Sequence, residues 1–519
     1  MVSRTAGSGI PGLSQAKAVG QGFNVYGALS SESLVRPLVD PTKAGTTVFN
    51  FQGVDYTIPD YVVGVEDPSS YVIRTVSETR EEAQNALSVH AGVGGSYGAF
   101  SGEMEADFSF ERNTSSDSYF CYWRSVNSLA VLETNPDLAK KAISDDFAAA
   151  VDGLPLPLSE ENKEDYFDFF AVFGPFYTRH VTLGGNLTFL NQVTRNESIT
   201  KASVELSVKA QYDGLYATGK LDLSGITTNQ WSSYRDDSRV MVEGVGGDQA
   251  LLAQLAGVDP WHFSKASADL ATAWTRSLGS AAGLVDFDLG GVWELISDPE
   301  RAAAVQEAWQ LYSEIMHLKI SVQSWSTGLP WPCDIPARPP ILISDKVIKP
   351  KDPPASPVGA QVIVLDGNNA ASPHGVLLDR YYCLPVEYAW PMTYQAMWDK
   401  MAADLEGYDQ RGNILLMVTF GQFLNMPPTD SALAMFETAG ASAVVQDWIT
   451  HCDPGSQQDD PSVWTAFPRV YALAGVFGHG PGTGIEAFIG DYYDGSPSLD
   501  MTVYLYRQAY GGQYVLGAG

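Results

Sequence analysis

Positive charge is scarce in this chain: 31 lysines and arginines stand against 61 aspartates and glutamates, a net charge of −30. That balance excludes nucleic acid as a partner, because its phosphates would repel the surface. It also excludes adhesion to anionic lipid by bulk charge, so any contact with a membrane has to be specific or apolar. Long apolar runs are missing too, which excludes transmembrane helices. The first residues, MVSRTAGSGIPGLSQAKAVG, lack the apolar core of a signal peptide and imply a mature or recombinant form, or another export route. Four cysteines (Cys121, Cys333, Cys383 and Cys452) are too few for a disulfide framework and leave one or two bridges open.

Catalytic and metal-binding patterns are lacking as well. The seven histidines (90, 180, 262, 317, 374, 451 and 479) do not fall at metal-ligand spacings, and no Gly-x-Ser-x-Gly elbow occurs. His451-Cys452-Asp453 is a lone triplet, read as structural, and Glu160, Glu161, Glu164 and Asp165 read as a solvated helix face. The expectation is a protein that is not an enzyme, with no cofactor and no metal. Its 519 residues, 45% of them hydrophobic, are enough for two or three soluble domains with filled cores.

What the chain does have is alternation. From Lys201 to Gly225 (KASVELSVKAQYDGLYATGKLDLSG), Ala202, Val204, Leu206, Val208, Ala210 and Tyr212 alternate with polar residues. Asp213-Gly214 predicts a type I′ hairpin turn, after which Leu215, Ala217, Gly219, Leu221 and Leu223 resume the apolar face. Glu205, Lys209, Lys220 and Asp222 lie on the polar face. A period of two suits a hairpin in a membrane barrel, each arm about ten residues long, and equally a half-buried hairpin in a soluble sheet.

Leu87–Phe110 repeats the signature. Leu87, Val89, Ala91 and Val93 lead to a Gly-Gly-Ser-Tyr-Gly tip, and Phe100, Met104, Ala106, Phe108 and Phe110 alternate beyond it with an acidic face of Glu103, Glu105 and Asp107. The tip lacks the Lys-Ser/Thr ending of a phosphate loop. Residues 20–60 read as short strands and loops, and 137–170 as largely helical with Asp137 as N-cap. From Tyr166 an aromatic helix breaks at Gly174-Pro175 and runs into a strand bent at Gly184-Gly185. Then come a hinge at Gly244-Val245-Gly246-Gly247, a helix with Trp274, the run Gly283-Leu284-Val285-Asp286-Phe287 and the helix Pro299–Ser313. Residues 321–358, proline-rich from 326, read as a linker. Beyond Gly359, strands at Val362–Asp366, Ile414–Thr419, Ala443–Gln446 and Val470–Phe477 alternate with helices at Tyr394–Leu405 and Asp430–Thr438, an α/β domain.

This order of features resembles the membrane attack complex/perforin family over roughly residues 20–320. Phe173-Gly174-Pro175-Phe176-Tyr177 precedes Gly184-Gly185 at the spacing of the family signature. The signature's Thr and His are replaced by Pro175 and Phe176, and His180 is not an aligned substitute. An alternating, Gly-tipped segment lies on either side, followed by the Val-Gly-Gly hinge, Ala273-Trp274 and Gly283-Leu284-Val285-Asp286. Residues 359–519 are similar, more loosely, to the interleukin-like EMT inducer (panander-like) domain. The likeness rests on Val362–Asp366, Gly412–Val418 and Ala432-Leu433 through Ala439–Ala441, with a long insert around 452–466.

The resemblance implies an α+β fold: a bent, twisted antiparallel sheet (1–320) flanked by two helical clusters that convert to hairpins, the linker, and a smaller α/β domain (359–519) for target recognition. It implies a secreted, soluble monomer that binds a target-cell membrane, closes into a homo-oligomeric ring and inserts both segments as a β-barrel, a cytolytic toxin or defence effector of insecticidal type included. Leu87, Val89, Ala91, Val93, Phe100, Met104, Ala106, Phe108, Ala202, Val204, Leu206, Val208, Ala210, Leu215, Leu221 and Leu223 would face lipid. Glu103, Glu105, Asp107, Glu205, Lys209, Lys220 and Asp222 would face the lumen, and Gly184, Gly185, Gly246 and Gly247 would let the sheet straighten. A surface receptor or glycan, and a second protein component, are compatible with this scheme. Three sequons occur (Asn113, Asn186 and Asn196), and sugars at Asn113 and Asn186 would sit beside moving parts, which points to a non-glycosylating source. The alternative is a non-lytic adhesion or signalling protein of the same fold, marked by charge interrupting the apolar face of the arms. Ala202–Tyr212 and Leu215–Leu223 carry none there.

Overall fold

Alternating β-branched and aromatic residues build the frame of the N-terminal part. A computed structural model describes residues 10–94, 98–102, 118–325, 339–344, 359–383, 392–420, 428–442, 444–446, 470–489 and 498–518. The chain divides into two compact units, one running to Ser313 and one spanning Glu314–Gly519.

The first unit begins with four short strands: β1 (Gln21–Phe23), β2 (Leu34–Pro37), β3 (Thr46–Phe51) and β4 (Val54–Pro59). Three long ones follow: β5 (Val62–Ser77), β6 (Ser118–Thr134) and β7 (Phe176–Thr194). Helix α1 (Arg80–His90) lies between β5 and β6. Between β6 and β7 come α2 (Pro136–Ala139), α3 (Asp145–Gly153) and α4 (Lys163–Phe173). Asp137 does not cap α2: the cap is Asn135, whose side chain accepts from the Leu138 N–H, because Pro136 lacks a donor and fits the first helical position. After β7 come α5 (Lys201–Asp213), α6 (Thr228–Asp237), β8 (Ser238–Val245), α7 (Gln249–Ala256), α8 (Lys265–Ser277), β9 (Gly283–Gly291) and α9 (Pro299–Met316).

The main sheet is antiparallel, in the order β2-β1-β7-β6-β5, with β8 and β9 both pairing with β7. Strand β7 changes partner along its length: residues Phe176–Gly184 lie beside β9, and Asn186–Val193 beside β8. Register breaks fall at one level across three strands, between Glu66 and Ser69, between Ser128 and Ala130, and between Thr182 and Leu183. A line of bulges concentrates bending there, and Gly184-Gly185 stands in it, opposite Ser128 and Asn127. The first half of β6 is buried on both faces; its odd residues Tyr119, Cys121 and Trp123 join a core with Leu187, Phe189, Val204, Val208 and Trp274.

The second unit has strands β10 (His317–Trp325), β11 (Ile341–Ile343), β12 (Gly359–Leu365), β13 (Val376–Cys383), β14 (Ile414–Phe420), β15 (Val470–Val476), β16 (Ile485–Ile489), β17 (Ser498–Tyr506) and β18 (Val515–Ala518), with helices α10 (Met392–Leu405) and α11 (Asp430–Thr438). A five-stranded sheet, β13-β12-β14-β15-β16, shares one core with a four-stranded sheet, β11-β10-β17-β18. The helices cover the other face of the first sheet through Trp398, Met401 and Phe436. Every pairing in both sheets is antiparallel.

Two expectations are corrected here. The segment read as a linker supplies β10 and β11, because Val322, Ile341 and Ile343 are apolar partners for the second sheet's core. Residues 444–446, expected as strand, are helical: the Glu486 carboxylate accepts from the N–H groups of Ser442 and Val445, as an N-cap would. Among the described residues, no helix is long and apolar enough to cross a bilayer.

Candidate functional site

The expected hairpin of residues 202–224 is helical from Ala202 to Thr218 in this structure, and residues 219–224 are irregular. Thr200 and Ser203 form a reciprocal capping box that starts α5. The turn predicted at Asp213-Gly214 is not made: Gly214 is right-handed helical (φ −59°) and leads into a π-helical turn, Gly214–Thr218, that ends at Gly219 (φ 62°). Glycine serves Gly214 by its size, since a Cβ there would lie 2.7 Å from the Phe263 ring.

The helix sorts the alternating residues in a way a strand would not. Val204 and Val208 are buried against β6 and β7, whereas Leu206 between them is 40% exposed. Ala210 and Leu215 are buried, Ala202, Lys209, Lys220 and Asp222 are exposed, and Glu205, Leu221 and Leu223 are half-buried. Three polar residues go inside in exchange: Ser203, Ser207 and Gln211. Each is satisfied. The Ser203 and Ser207 hydroxyls donate to the carbonyls of Thr200 and Ser203, and Gln211 Nε2 donates to the Pro260 carbonyl at 3.1 Å. Tyr234 donates to Gln211 Oε1 at 2.8 Å, and Asn191 Nδ2 donates to the Tyr234 hydroxyl.

Aromatic stacking fastens the end of α5 to the sheet. Tyr212 lies 5.8 Å from Trp123 and 4.7 Å from Tyr216, ring centre to ring centre, and its hydroxyl is 2.9 Å from that of Ser125. Burial pushes the Tyr212, Tyr216 and Tyr234 phenols up, so all three stay neutral. Arg74 sits over Trp123 and 3.6 Å from Glu205.

The first segment shows the same sorting. Thr79 caps α1, Leu87 and Ala91 are buried, and Val89 between them is 66% exposed. Ser88 is buried and its hydroxyl donates to the Gln84 carbonyl at 2.8 Å. Val93 and Phe100 are buried, Phe100 with φ 61°. Met104, Ala106, Phe108, Glu103, Glu105 and Asp107 lie outside the described residues. Where α1 ends, His90 Nε2 is 3.0 Å from both oxygens of Asp286, which also accepts from the Tyr71 hydroxyl at 2.6 Å. The Leu289 N–H donates to the Ala91 carbonyl at 2.8 Å. His90 and Asp286 were not singled out from sequence as a pair; the available signal is a carboxylate inside an otherwise apolar strand, Leu284-Val285-Asp286-Phe287. Glu82 on α1 and Lys201 on α5 approach to 3.8 Å, an exposed link between the two segments.

The signature and hinge glycines meet other backbone at close range. Gly174 (φ 75°) ends α4, and a Cβ there would lie 2.6 Å from the Phe23 carbonyl oxygen; Phe173 packs on Phe147 and Phe169. A Cβ on Gly184 would lie 1.9 Å from the Asn127 oxygen, one on Gly185 2.3 Å from Leu278, and one on Gly246 2.3 Å from the Gly184 oxygen. Trp274 closes the group: its indole donates to the Gly246 carbonyl at 2.9 Å, and its ring bars any side chain at Gly247 (φ 72°). Asn186 is buried, with Nδ2 donating to the Val285 carbonyl, which leaves that sequon closed to sugar in this fold.

Outer strands β5 and β8 each pair on one side only among the described residues.

A family model for the MAC/Perforin domain matches residues 11–319. Among solved structures, GNIP1Aa from Chromobacterium piscinae is similar at 20% identity with a TM-score of 0.49, over 69% of this chain; the chain thus spans 62% of the length of that protein. A MAC/Perforin-domain protein from Bacteroides thetaiotaomicron aligns at 10% identity over 62% of this chain and 67% of its own, with a TM-score of 0.38. Astrotactin-2, a vertebrate-specific perforin-like membrane protein, aligns at 12% identity over 56% and 97%, with a TM-score of 0.28. A comparison with curated proteins returns no match.

Proposed function

From the premise that this chain belongs to the MAC/Perforin domain family, we propose that it forms membrane pores. A secreted, soluble monomer binds a target membrane, assembles into a homo-oligomeric ring, and inserts two amphipathic hairpins per subunit into a common β-barrel. One observation supports this most directly: both segments satisfy two periods at once. Residues four apart share a face in a helix and in a strand, so Val204/Val208 and Leu87/Ala91 suit either state. The residue between them suits only the strand, and the helix leaves it in water, as Leu206 and Val89.

Insertion has to be collective, because an open hairpin edge in lipid leaves backbone groups unpaired and a closed barrel does not. In the barrel, Glu103, Glu105, Asp107 and Glu205 would give the lumen a cation preference, with Lys209, Lys220 and Asp222 on the same polar face. Residues 359–519 would recognise the target surface.

The test is a lock. Gly214→Cys with Phe263→Cys, in a background with Cys121, Cys333, Cys383 and Cys452 replaced, ties α5 to the loop before α8. Dye release from vesicles of target-cell lipid extract is measured with and without reductant. Release only after reduction supports unfurling and pore formation. Equal release with the lock intact would sink it, and binding without any release would favour the adhesion or signalling reading.

A further inference from the structure

Arg507 is a buried cation that the pore scheme does not use. Strand β17 ends at Tyr506, and residues 507–514 (RQAYGGQY) turn back into β18. Val503 and Leu505 point into the core between the two sheets of the second unit, and Arg507 continues their face. It is 5% exposed, with its guanidinium between the rings of Tyr510 and Tyr514, at 5.0 and 4.8 Å from their centres. Its Nε is buried and has no acceptor, and no carboxylate among the described residues pairs with it.

Tyr514 cannot serve as the counter-ion. Burial pushes its phenol up to about 12 against the pull of Arg507, and its hydroxyl is engaged by the Ile315 carbonyl and the Ala371 backbone. A buried charge is costly unless it is paired, and ring faces offset only part of that cost. The chain has 61 acidic residues, yet none among the described residues pairs with this arginine. The approach to it is short: Tyr510 is half-buried, and Gln508, Ala509, Gly511 and Gln513 are exposed. Open space surrounds Gly511 (φ 74°).

We propose that this loop binds an acidic sugar, with Arg507 forked onto its carboxylate or sulfate and the Tyr510 ring swinging out to lie along the sugar face. The proposal deepens the reading that the second unit recognises the target surface. An anionic membrane fits less well, because the loop carries one basic residue and the whole chain has a charge of −30.

The experiment is titration calorimetry of the full chain with sialyllactose, a sulfated heparin disaccharide and neutral lactose, plus flotation with phosphatidylserine vesicles. Saturable binding of at least one acidic sugar, absent for lactose, is expected. Arg507→Gln should weaken it at least about tenfold, the scale of one lost charge-assisted contact. Because Arg507→Gln could loosen the core, Tyr510→Ala on the outer side of the sandwich is the second variant, checked by thermal unfolding. Unchanged binding in a folded variant, no acidic-sugar binding, or binding to vesicles alone each overturns the proposal. None of these readouts depends on lysis, so failure here and failure of the pore reading are separable.

Discussion

At the residue scale, Leu206 and Val89 are where the described helices and the proposed inserted hairpins make different demands. Both are surface positions in the helices, so Leu206→Arg or Val89→Arg should change monomer stability by no more than about 0.5 kcal/mol. In a barrel the same arginine at mid-depth should cost roughly 2–4 kcal/mol per subunit. Unfolding temperature unchanged with dye release abolished is the expected pair of results; normal release by both variants would remove these residues from the lipid face. Val208 is a poorer probe, since it is 1% exposed in the monomer and a charge there would unfold α5 before any membrane was met. Asp288 is a second residue with a measurable signature. It lies 2.7 Å from Arg179 and 3.2 Å from His180, and a Cβ on Gly92, just past α1, would meet it at 2.9 Å. Burial acts to raise its carboxyl, but the hydrogen bonds from His180 and Arg179 and the guanidinium charge hold it below the usual 3.8. A depressed carboxyl contributes stability above pH 3.8 that is lost as pH falls through the lower, folded value. The acid limb of thermal stability against pH should therefore be shallower in Asp288→Asn; an identical limb would show that Asp288 contributes nothing there.

At the scale of elements, α1 and α5 are short helices held by caps and tertiary packing. Thr200→Ala removes the side-chain oxygen that holds the Ser203 N–H and should cost about 1 kcal/mol. It leaves the strand alternation intact, so it should lower the unfolding temperature and hasten dye release together; slower release would mean that α5 must stay helical to function. The same elements show what was legible beforehand. Alternation marked the two segments, but a hydrophobic period sees only the side chains, and four-residue spacing fits both conformations. What decides for helix here is partly local, the capping box of Thr200 and Ser203, and partly at longer range, the Tyr212–Trp123 stack and the Phe263 ring over Gly214. The Asp213-Gly214 pair has the composition of a tight turn and is overruled by that packing. The strand that follows Gly174-Pro175 could be read and is β7, whereas β5 and β6 were not; the glycine pairs stand out by composition, but the groups that crowd them, Asn127 for Gly184, Leu278 for Gly185 and Gly184 for Gly246, are distant in sequence. The His90–Asp286 contact could not be read, since 196 residues separate its partners. Strands β10 and β11 were hidden by the proline-rich stretch between them, and the other partner of β10, β17, lies over 170 residues further on.

At the scale of the whole molecule, the open strands and the net charge set opposing demands. In the proposed barrel, β8 of one subunit would pair with β5 of the next, and each of these strands has one partner among the described residues, as β2 and β9 do. Bringing together subunits that each carry −30 costs electrostatic work that salt screens. The screening length falls from about 30 Å at 0.01 M to about 8 Å at 0.15 M. On neutral vesicles the lag before dye release should therefore shorten as sodium chloride rises over that range, and the lag should depend on protein concentration. Thr200→Ala provides the contrast, because it acts on unfurling within a subunit and not on association. If association limits the lag, salt shortens it in both proteins and the variant changes only the release that follows. If unfurling limits it, the variant shortens the lag and salt leaves it alone, and the repulsion argument fails. A lag indifferent to salt, concentration and the variant alike would contradict ring assembly itself.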